Sequence, residues 1–309
     1  MLRIGTRGSK LALQQSEWVK AQLEIRYSNI GVELVKIKTT GDKILDSPLS
    51  KIGGKGLFVK EIEDALLEKR VDLAVHSMKD VPAELPENLY LSTFPEREDP
   101  SDALISVDGL TLDQLPRNAK VGTSSLRRGA QLLHIRPDLE LAPLRGNVDT
   151  RLRKVESGEL HAVILACAGL KRLGLADRIS QVIPQDQLLP AVGQGALGLE
   201  IRRDDAGLAH LLDFLDHAPT RMTVSAERAF LKELEGGCQV PIAGFARLDG
   251  DRLYFKGMVA ELDGSRLFAE ETAGPSNEAE AIGIACARNL LASGADKVLE
   301  KVYGLTRDA

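Results

Sequence analysis

The chain has 309 residues, 43% of them hydrophobic and 28% charged, with a formal net charge of −5. That length exceeds what one core sustains, so two or three domains are expected, and the composition excludes a disordered or low-complexity chain. The acidic balance gives no general attraction to nucleic acid or an anionic membrane, and neither is expected as a partner.

The predicted elements alternate between strand and helix. LRIGT reads as a strand, Leu11 to Ile25 as a helix with apolar residues at helical spacing, VELVKIK as a strand, LFVKEIEDALLEK as a helix and DLAVHS as a strand. Such alternation predicts parallel sheets covered by helices on both faces. The loop PEREDPSD, Pro95 to Asp102, marks the crossing into a second α/β unit. That unit runs through AKVGTS, a helix from Leu126 to Ile135, another from Val148 to Glu156, and the strand AVILA. Pro184 to Gly198 leads back toward the first unit. From about Ala218 the order changes to a helix, three strands at Ile242 to Arg247, Arg252 to Glu261 and Arg266 to Thr272, and a helix from Glu278 to Ala292, a small α+β domain. The long polar segment TTGDKILDSPLSKIGGKG lies between a strand and a helix, where loops of that length are usually functional.

MLRIGTRGSKLALQQ has neither the apolar core nor the cleavage site of a secretory leader, and none is expected. The longest apolar run, AVILACAGL, is too short to span a bilayer. Cys167, Cys238 and Cys286 are widely spaced and odd in number, which fits neither a disulfide framework nor a zinc site and points to a reducing cytoplasm. Cys167 and Cys286 sit in apolar settings and read as core packing, whereas Cys238 projects from the glycine-rich turn EGGCQVP, after a helix ending near Leu234. His76, His134, His161, His210 and His217 share no ligand spacing, and no metal is expected. GQGALG, Gly193 to Gly198, matches a dinucleotide fingerprint in letters but precedes a strand, so a close-packed turn between domains is expected. GGKGLF lacks the first glycine and the magnesium-binding hydroxyl of a phosphate loop.

The basic residues carry the functional signal. Arg7, Lys79, Arg127, Arg128, Arg145 and Arg151 all stand at strand-to-helix junctions. Ligands of open α/β sheets bind beyond the carboxyl ends of strands, where helix N-termini also favour anions. Each arginine alone reads more readily as a solvated surface charge, but their shared topological position predicts one cleft for an anion with several carboxylates or phosphates. Asp80, in HSMKDVP, lies among these cations and remains ionised there. It is a candidate to hold a cationic or N–H-bearing intermediate, or an N-cap for a helix at VPAEL.

Taken together, RIGTRGSKLAL, GDKILDSPLSKIGGKGLFVKEIEDALL, AVHSMKDVP, EREDP, VGTSSLRR, RPDL, LRGNVDTRL, AGLKRLG, LPAVGQGALG, SAERAFL and LEGGCQVPI resemble the porphobilinogen deaminase (hydroxymethylbilane synthase) family. The resemblance runs in order from Arg3 to about the last ten residues; Gln14 departs from it, where many members carry Trp. It implies two α/β domains like those of periplasmic binding proteins, at 1–97 with 196–217 and at 98–195, a cleft between them, and a small α+β domain at 218–309. The implied enzyme is a cytoplasmic monomer that condenses four porphobilinogen molecules head to tail, releasing ammonia each time, and then hydrolyses off linear hydroxymethylbilane. The resemblance implies a dipyrromethane cofactor joined through a thioether to Cys238. It gives carboxylate binding to Arg7, Lys79, Arg127, Arg128, Arg145, Arg151 and Arg172, and neutral hydrogen bonds to Ser9, Ser77, Thr123, Ser125, Gly146 and Gln194. Lys51, Lys55 and Phe58 fall on a lid loop, and Asp80 pairs with pyrrole N–H groups, stabilises the azafulvenium cation and assists proton removal. The alternative is a two-lobed soluble receptor for a polycarboxylate.

Overall fold

The computed structural model describes residues 1–43, 56–235 and 240–307. Its first sheet begins with β1 (Leu2–Arg7), helix α1 (Lys10–Arg26) and β2 (Val32–Ile37), followed by the short α2 (Thr40–Lys43), α3 (Lys60–Leu67), β3 (Leu73–Ser77) and β4 (Leu89–Thr93). The second sheet is built from β5 (Asp102–Ser106), β6 (Lys120–Gly122), α4 (Leu126–Ile135), β7 (Glu140–Ala142), α5 (Val148–Glu156), β8 (Ala162–Ala166), α6 (Cys167–Arg172) and β9 (Gln181–Ile183). The chain then returns through β10 (Leu197–Arg202) to the first sheet, whose strand order is β2-β1-β3-β10-β4; the second is ordered β7-β6-β8-β5-β9.

The two sheets are mixed, which corrects the expectation of parallel sheets. β10 runs antiparallel to both β3 and β4, and β5 antiparallel to β8 and β9. Both exceptions are strands that follow a connection between the sheets. Hydrophobic patterning fixes which face of a strand is buried, but not its direction. Strands β4, β5, β7 and β9 were not marked by the sequence pattern. Three of them are edge strands in the observed order, and β5, inside the sheet, is buried along its whole length.

Helix α7 (Ala206–Leu212) packs against β4 and leads to α8 (Ala218–Glu233), the start of the third unit. There the antiparallel meander β11 (Ile242–Asp249), β12 (Arg252–Ala260) and β13 (Leu267–Pro275) packs against α8 and α9 (Ala279–Leu290). Phe230 and Phe255, both fully buried, meet with ring centroids 4.9 Å apart at the centre of that core. One further helix, α10 (Asp296–Arg307), follows a π-type turn at Leu291–Ala295 in which Gly294 takes φ 104°.

The connections between the sheets are joined by buried polar contacts. The Arg97 guanidinium pairs with Glu227 of α8 at 2.7 Å and donates to the Gln194 carbonyl at 2.9 Å. Glu227 in turn accepts from the Gly193 and Ala246 amides. Gly193 and Gly195 have φ of 71° and 88°, and a Cβ at Gly195 would overlap the Glu98 carbonyl oxygen. The GQGALG segment is thus the close-packed turn its context predicted, with glycine required by both backbone angle and space.

Candidate active site

Three helices start on the same side of this assembly. Ser9 caps α1 by accepting from the Ala12 amide, Ser125 caps α4 through the Arg128 amide, and Asn147 caps α5 through the Thr150 amide. Each cap follows the carboxyl end of a strand, so unsatisfied N–H groups and the positive ends of helix dipoles gather there.

Between the sheets lies a cavity of about 740 Å³. Arg7, Ser9, Ser77, Lys79, Arg128, Arg145, Gly146, Arg151 and Arg172 line it, together with Phe58. Cations from β1, from the turn after β3, and from α4, α5 and α6 are therefore brought together from positions up to 165 residues apart in sequence, as Arg7 and Arg172 are. Crowding shows in their titration. Burial, then Arg128, pushes the Lys79 ammonium down to about 8, against the pull of Asp80 and Asp102. Burial, followed by Arg128 and Arg145, lowers Arg151 to about 10, and burial lowers Arg172. A wall whose positive charges disfavour one another in this way favours a bound anion, which would relieve them. Arg7 is held by Asp42 at 2.6 Å and lies over the Phe58 ring, 4.1 Å from its centroid.

Several expected site residues stand behind the wall. Arg127 does not line the cavity; it is buried, donating to Asp102 and to the Leu189 carbonyl at 2.7 Å each. Thr123 accepts from the Ser125 amide at 3.2 Å, and Ser125 is engaged as the α4 cap. Gln194 is almost fully buried and donates to the Pro100 carbonyl at 2.6 Å and to Asp102 at 3.0 Å. Its side-chain oxygen faces Lys79 at 3.5 Å and Arg128 at 3.4 Å. These residues brace the cations that reach the cavity.

Asp80 ends a 3₁₀ turn, Met78–Asp80, directly beyond β3. It is half-buried and is not among the residues that line the cavity, but its charge acts on two that do, Lys79 and Arg151. The N-cap alternative is overturned, because residues 81–88 form turns and no helix. Lys51, Lys55 and Cys238 lie outside the described residues. The base of the cysteine turn is described: α8 ends at Glu233, Glu235 takes a left-handed φ of 51°, and Tyr303 of α10 donates to the Leu234 and Glu235 carbonyls at 3.2 and 3.0 Å. Cys167 and Cys286 are fully buried free thiols, each pushed up to about 12 by burial, so neither is suited to form a thioether with an electrophile. The histidines have separate partners; His76, for example, meets Glu200 at 2.9 Å, and His134 meets the Gly264 carbonyl at 2.9 Å.

Sequence reasoning missed Asp102, the buried carboxylate behind the cations, and Tyr303. Asp102 stood last in PEREDPSD, which read as a loop; its place just before the apolar run ALISV was the available signal.

The donor set fits a dipyrromethane, whose rings carry acetate and propionate groups: cations converge on a single cavity from both sheets, and the half-buried Asp80 carboxylate follows the lining Lys79 directly. Comparison with known proteins agrees. Residues 2–210 match the family model described as porphobilinogen deaminase, dipyromethane cofactor binding domain, and residues 221–292 match the porphobilinogen deaminase C-terminal domain. A porphobilinogen deaminase of Geobacter sulfurreducens is 57% identical over 302 residues, covering 98% of this chain and 95% of that protein. One from Nitratidesulfovibrio vulgaris is 57% identical over 304 residues, covering 98% and 96%. Among solved structures, a substrate-binding domain of a putative amino acid ABC transporter from Streptococcus pneumoniae aligns with TM-score 0.43 at 12% identity, covering 75% of this chain and 94% of that one. With both family models matched in order along nearly its whole length, this chain belongs to the porphobilinogen deaminase family.

Proposed function

We propose that the cavity between the two five-stranded sheets is where this transferase condenses porphobilinogen head to tail, four molecules in succession, with loss of ammonia at each step and final hydrolysis to hydroxymethylbilane. The observation that carries the assignment of the site is the convergence of Arg7, Lys79, Arg128, Arg145, Arg151 and Arg172 on that cavity, with Asp80 beside them. When bound, the dipyrromethane supplies an electron-rich pyrrole carbon onto which the chain grows.

The residues of this chain do the rest. The lining arginines and Lys79 hold acetate and propionate carboxylates, arginine through its planar fork and lysine as a point charge. Ser9, Ser77 and Gly146 add neutral hydrogen bonds from the wall, while Thr123, Ser125, Arg127 and Gln194 keep that wall in place. Asp80 accepts pyrrole N–H bonds and opposes the positive charge that spreads over the substrate ring as the carbon–nitrogen bond breaks and its electron pair leaves with ammonia. The same carboxylate then takes the proton displaced from the ring carbon when the new carbon–carbon bond forms. Cys238 anchors the cofactor through a thioether, and Lys51, Lys55 and Phe58 close over the cavity. Free thiols at Cys167 and Cys286 support a reducing, cytoplasmic setting, and we read the working form as a monomer.

Intact-mass measurement and a turnover assay test this together. The purified protein is expected to be heavier than its sequence by two linked pyrroles, to give the dipyrromethane colour with acidic aldehyde reagent, and to convert porphobilinogen to a linear tetrapyrrole. A mass equal to the sequence with no turnover, but tight binding of a polycarboxylate, would instead describe a receptor.

A further inference from the structure

Asp102 opens β5, immediately after the first connection between the sheets, and its side chain is completely buried. One oxygen accepts from Arg128 Nε at 2.9 Å and Nη2 at 2.6 Å, and from Gln194 Nε2 at 3.0 Å. The other accepts from Arg127 Nη1 at 2.7 Å. Arg128 also donates through Nη1 to the Ile164 carbonyl at 3.1 Å. Of the five N–H donors a guanidinium owns, the Nε and Nη2 edge is therefore committed inward, and among the described residues Nη1 alone keeps a hydrogen to offer at the cavity wall that Arg128 lines. A surface arginine swings freely; this one is held in a single orientation by a buried carboxylate that does not line the cavity.

We infer that Asp102 is a positioning residue for the condensation: its carboxylate fixes the Arg128 guanidinium on the cavity wall and places a negative charge beneath the neighbouring Lys79. The inference rests on the assignment of the cavity as the active site. Its geometric basis is the same network that joins both connections between the sheets, through Pro100 and Gln194, to the first turn of α4. Among the described residues, the charged groups acting on Lys79 include Arg127 and Arg128 from α4, Asp102 from β5 and its own neighbour Asp80. Asp102 and Asp80 favour the ammonium; the two arginines oppose it. Asp102 itself stays ionised: burial raises its pKa, but the charges and hydrogen bonds of Arg127 and Arg128 outweigh burial and hold it well below the usual carboxylate range.

The test compares holoenzyme with D102N, D102E and the double variant D102N/R127M. The Arg128 Nε–H is expected to exchange slowly in the wild type and to lose that protection in D102N by ¹⁵N NMR, and the Lys79 Nζ signal is expected to titrate at lower pH in D102N, both read without turnover. The kcat/KM is expected to fall roughly a hundredfold, as for a misplaced binding group, with the alkaline limb of its pH profile moved toward acid. D102N/R127M removes one buried cation along with the carboxylate, so its melting temperature recovers while kcat/KM stays low. D102E keeps the alkaline limb in place and loses part of the rate. A purely structural Asp102 predicts lower thermal stability with wild-type Nε–H exchange, rate and pH profile in the folded protein, and that result in D102N or the double variant overturns the inference. Should neither fold, wild-type kcat/KM and Nε–H exchange in D102E overturn it. The active-site assignment fails separately, if the wild type itself makes no tetrapyrrole.

Discussion

Asp80 and Lys79 are adjacent in sequence, at the end of β3, and their chemistry is separable. Asp80→Asn keeps the size and one acceptor oxygen but removes the charge we propose to oppose the developing cation. Loss of acid–base assistance alone is worth roughly a hundred- to ten-thousandfold in rate, so a folded protein with almost no turnover is expected, while Asp80→Glu retains some. Measuring product formation and thermal stability in parallel decides it, since a stable, active Asp80→Asn protein removes Asp80 from the chemistry. Lys79 sets a pH dependence. Its folded pKa of about 8 lies below the ordinary lysine value of 10.5, so the unfolded chain binds more protons between those values. The Lys79 contribution to stability therefore rises as pH climbs through that window, while carboxylate binding weakens as the ammonium is lost. Denaturation midpoints and KM at pH 7 and 9 for wild type and Lys79→Met check both signs; identical pH profiles for the two proteins would show that another group is responsible. Cys238→Ala is expected to abolish the added pyrrole mass, and extra mass on a peptide containing Cys167 or Cys286 would move the attachment site.

At the scale of elements, the helices that carry the cations were legible because capping and apolar spacing are local. α4 and α5 begin and end where the sequence placed them, at Leu126–Ile135 and Val148–Glu156. Ser125 illustrates what local reading leaves open. Its oxygen accepts from the Arg128 amide at 3.4 Å, so Ser125→Ala is expected to cost about 1 kcal/mol of stability through the lost cap. If urea denaturation shows no such loss while substrate affinity falls, Ser125 serves the ligand and not the helix. In the first sheet, α3 turns Glu63 inward toward Glu200 and His76. Burial, then the Glu200 charge, raises the Glu63 carboxyl to about 7 from 4.5, and His76 opposes the shift. Here the folded state binds the extra proton, so the Glu63 contribution to stability is lost as pH rises from about 4.5 to 7. Glu63→Gln is expected to raise the melting temperature at pH 8 more than at pH 5, and an equal change at both would refute that account.

The whole molecule is held at the place where its three parts meet. Arg97, Gln194 and Glu227 come from the first connection, the second connection and α8, and the Arg97–Glu227 pair is buried at 2.7 Å. Glu227→Gln leaves a guanidinium without its counter-charge and is expected to cost about 3–5 kcal/mol. Urea denaturation followed by separate probes in the first sheet and the third unit measures this, and a change under 1 kcal/mol would mean that the junction relaxes to water. On the second sheet, the turn between β12 and β13 docks on the end of α4 through the His134–Gly264 contact, so the third unit braces the helix that presents Arg128.

The sequence by itself determined the family, the α/β alternation, the helices at the cleft and the cations that would face an anion, because these rest on motif spacing, periodicity and capping within a few residues. It also singled out Cys238 and Asp80 from their immediate neighbours. Only the tertiary structure decided strand direction, since an alternating pattern reads the same both ways. Only the tertiary structure distinguished Arg127, turned inward, from Arg128, which lines the cavity, although the two are adjacent. Their fates depend on Asp102, 25 and 26 residues away, and on Gln194, 92 residues from Asp102. A carboxylate at the start of a strand and an amide in a distant turn meet only once both connections between the sheets are made, and the low dielectric of that buried junction then gives their charges control over the cations in front of them.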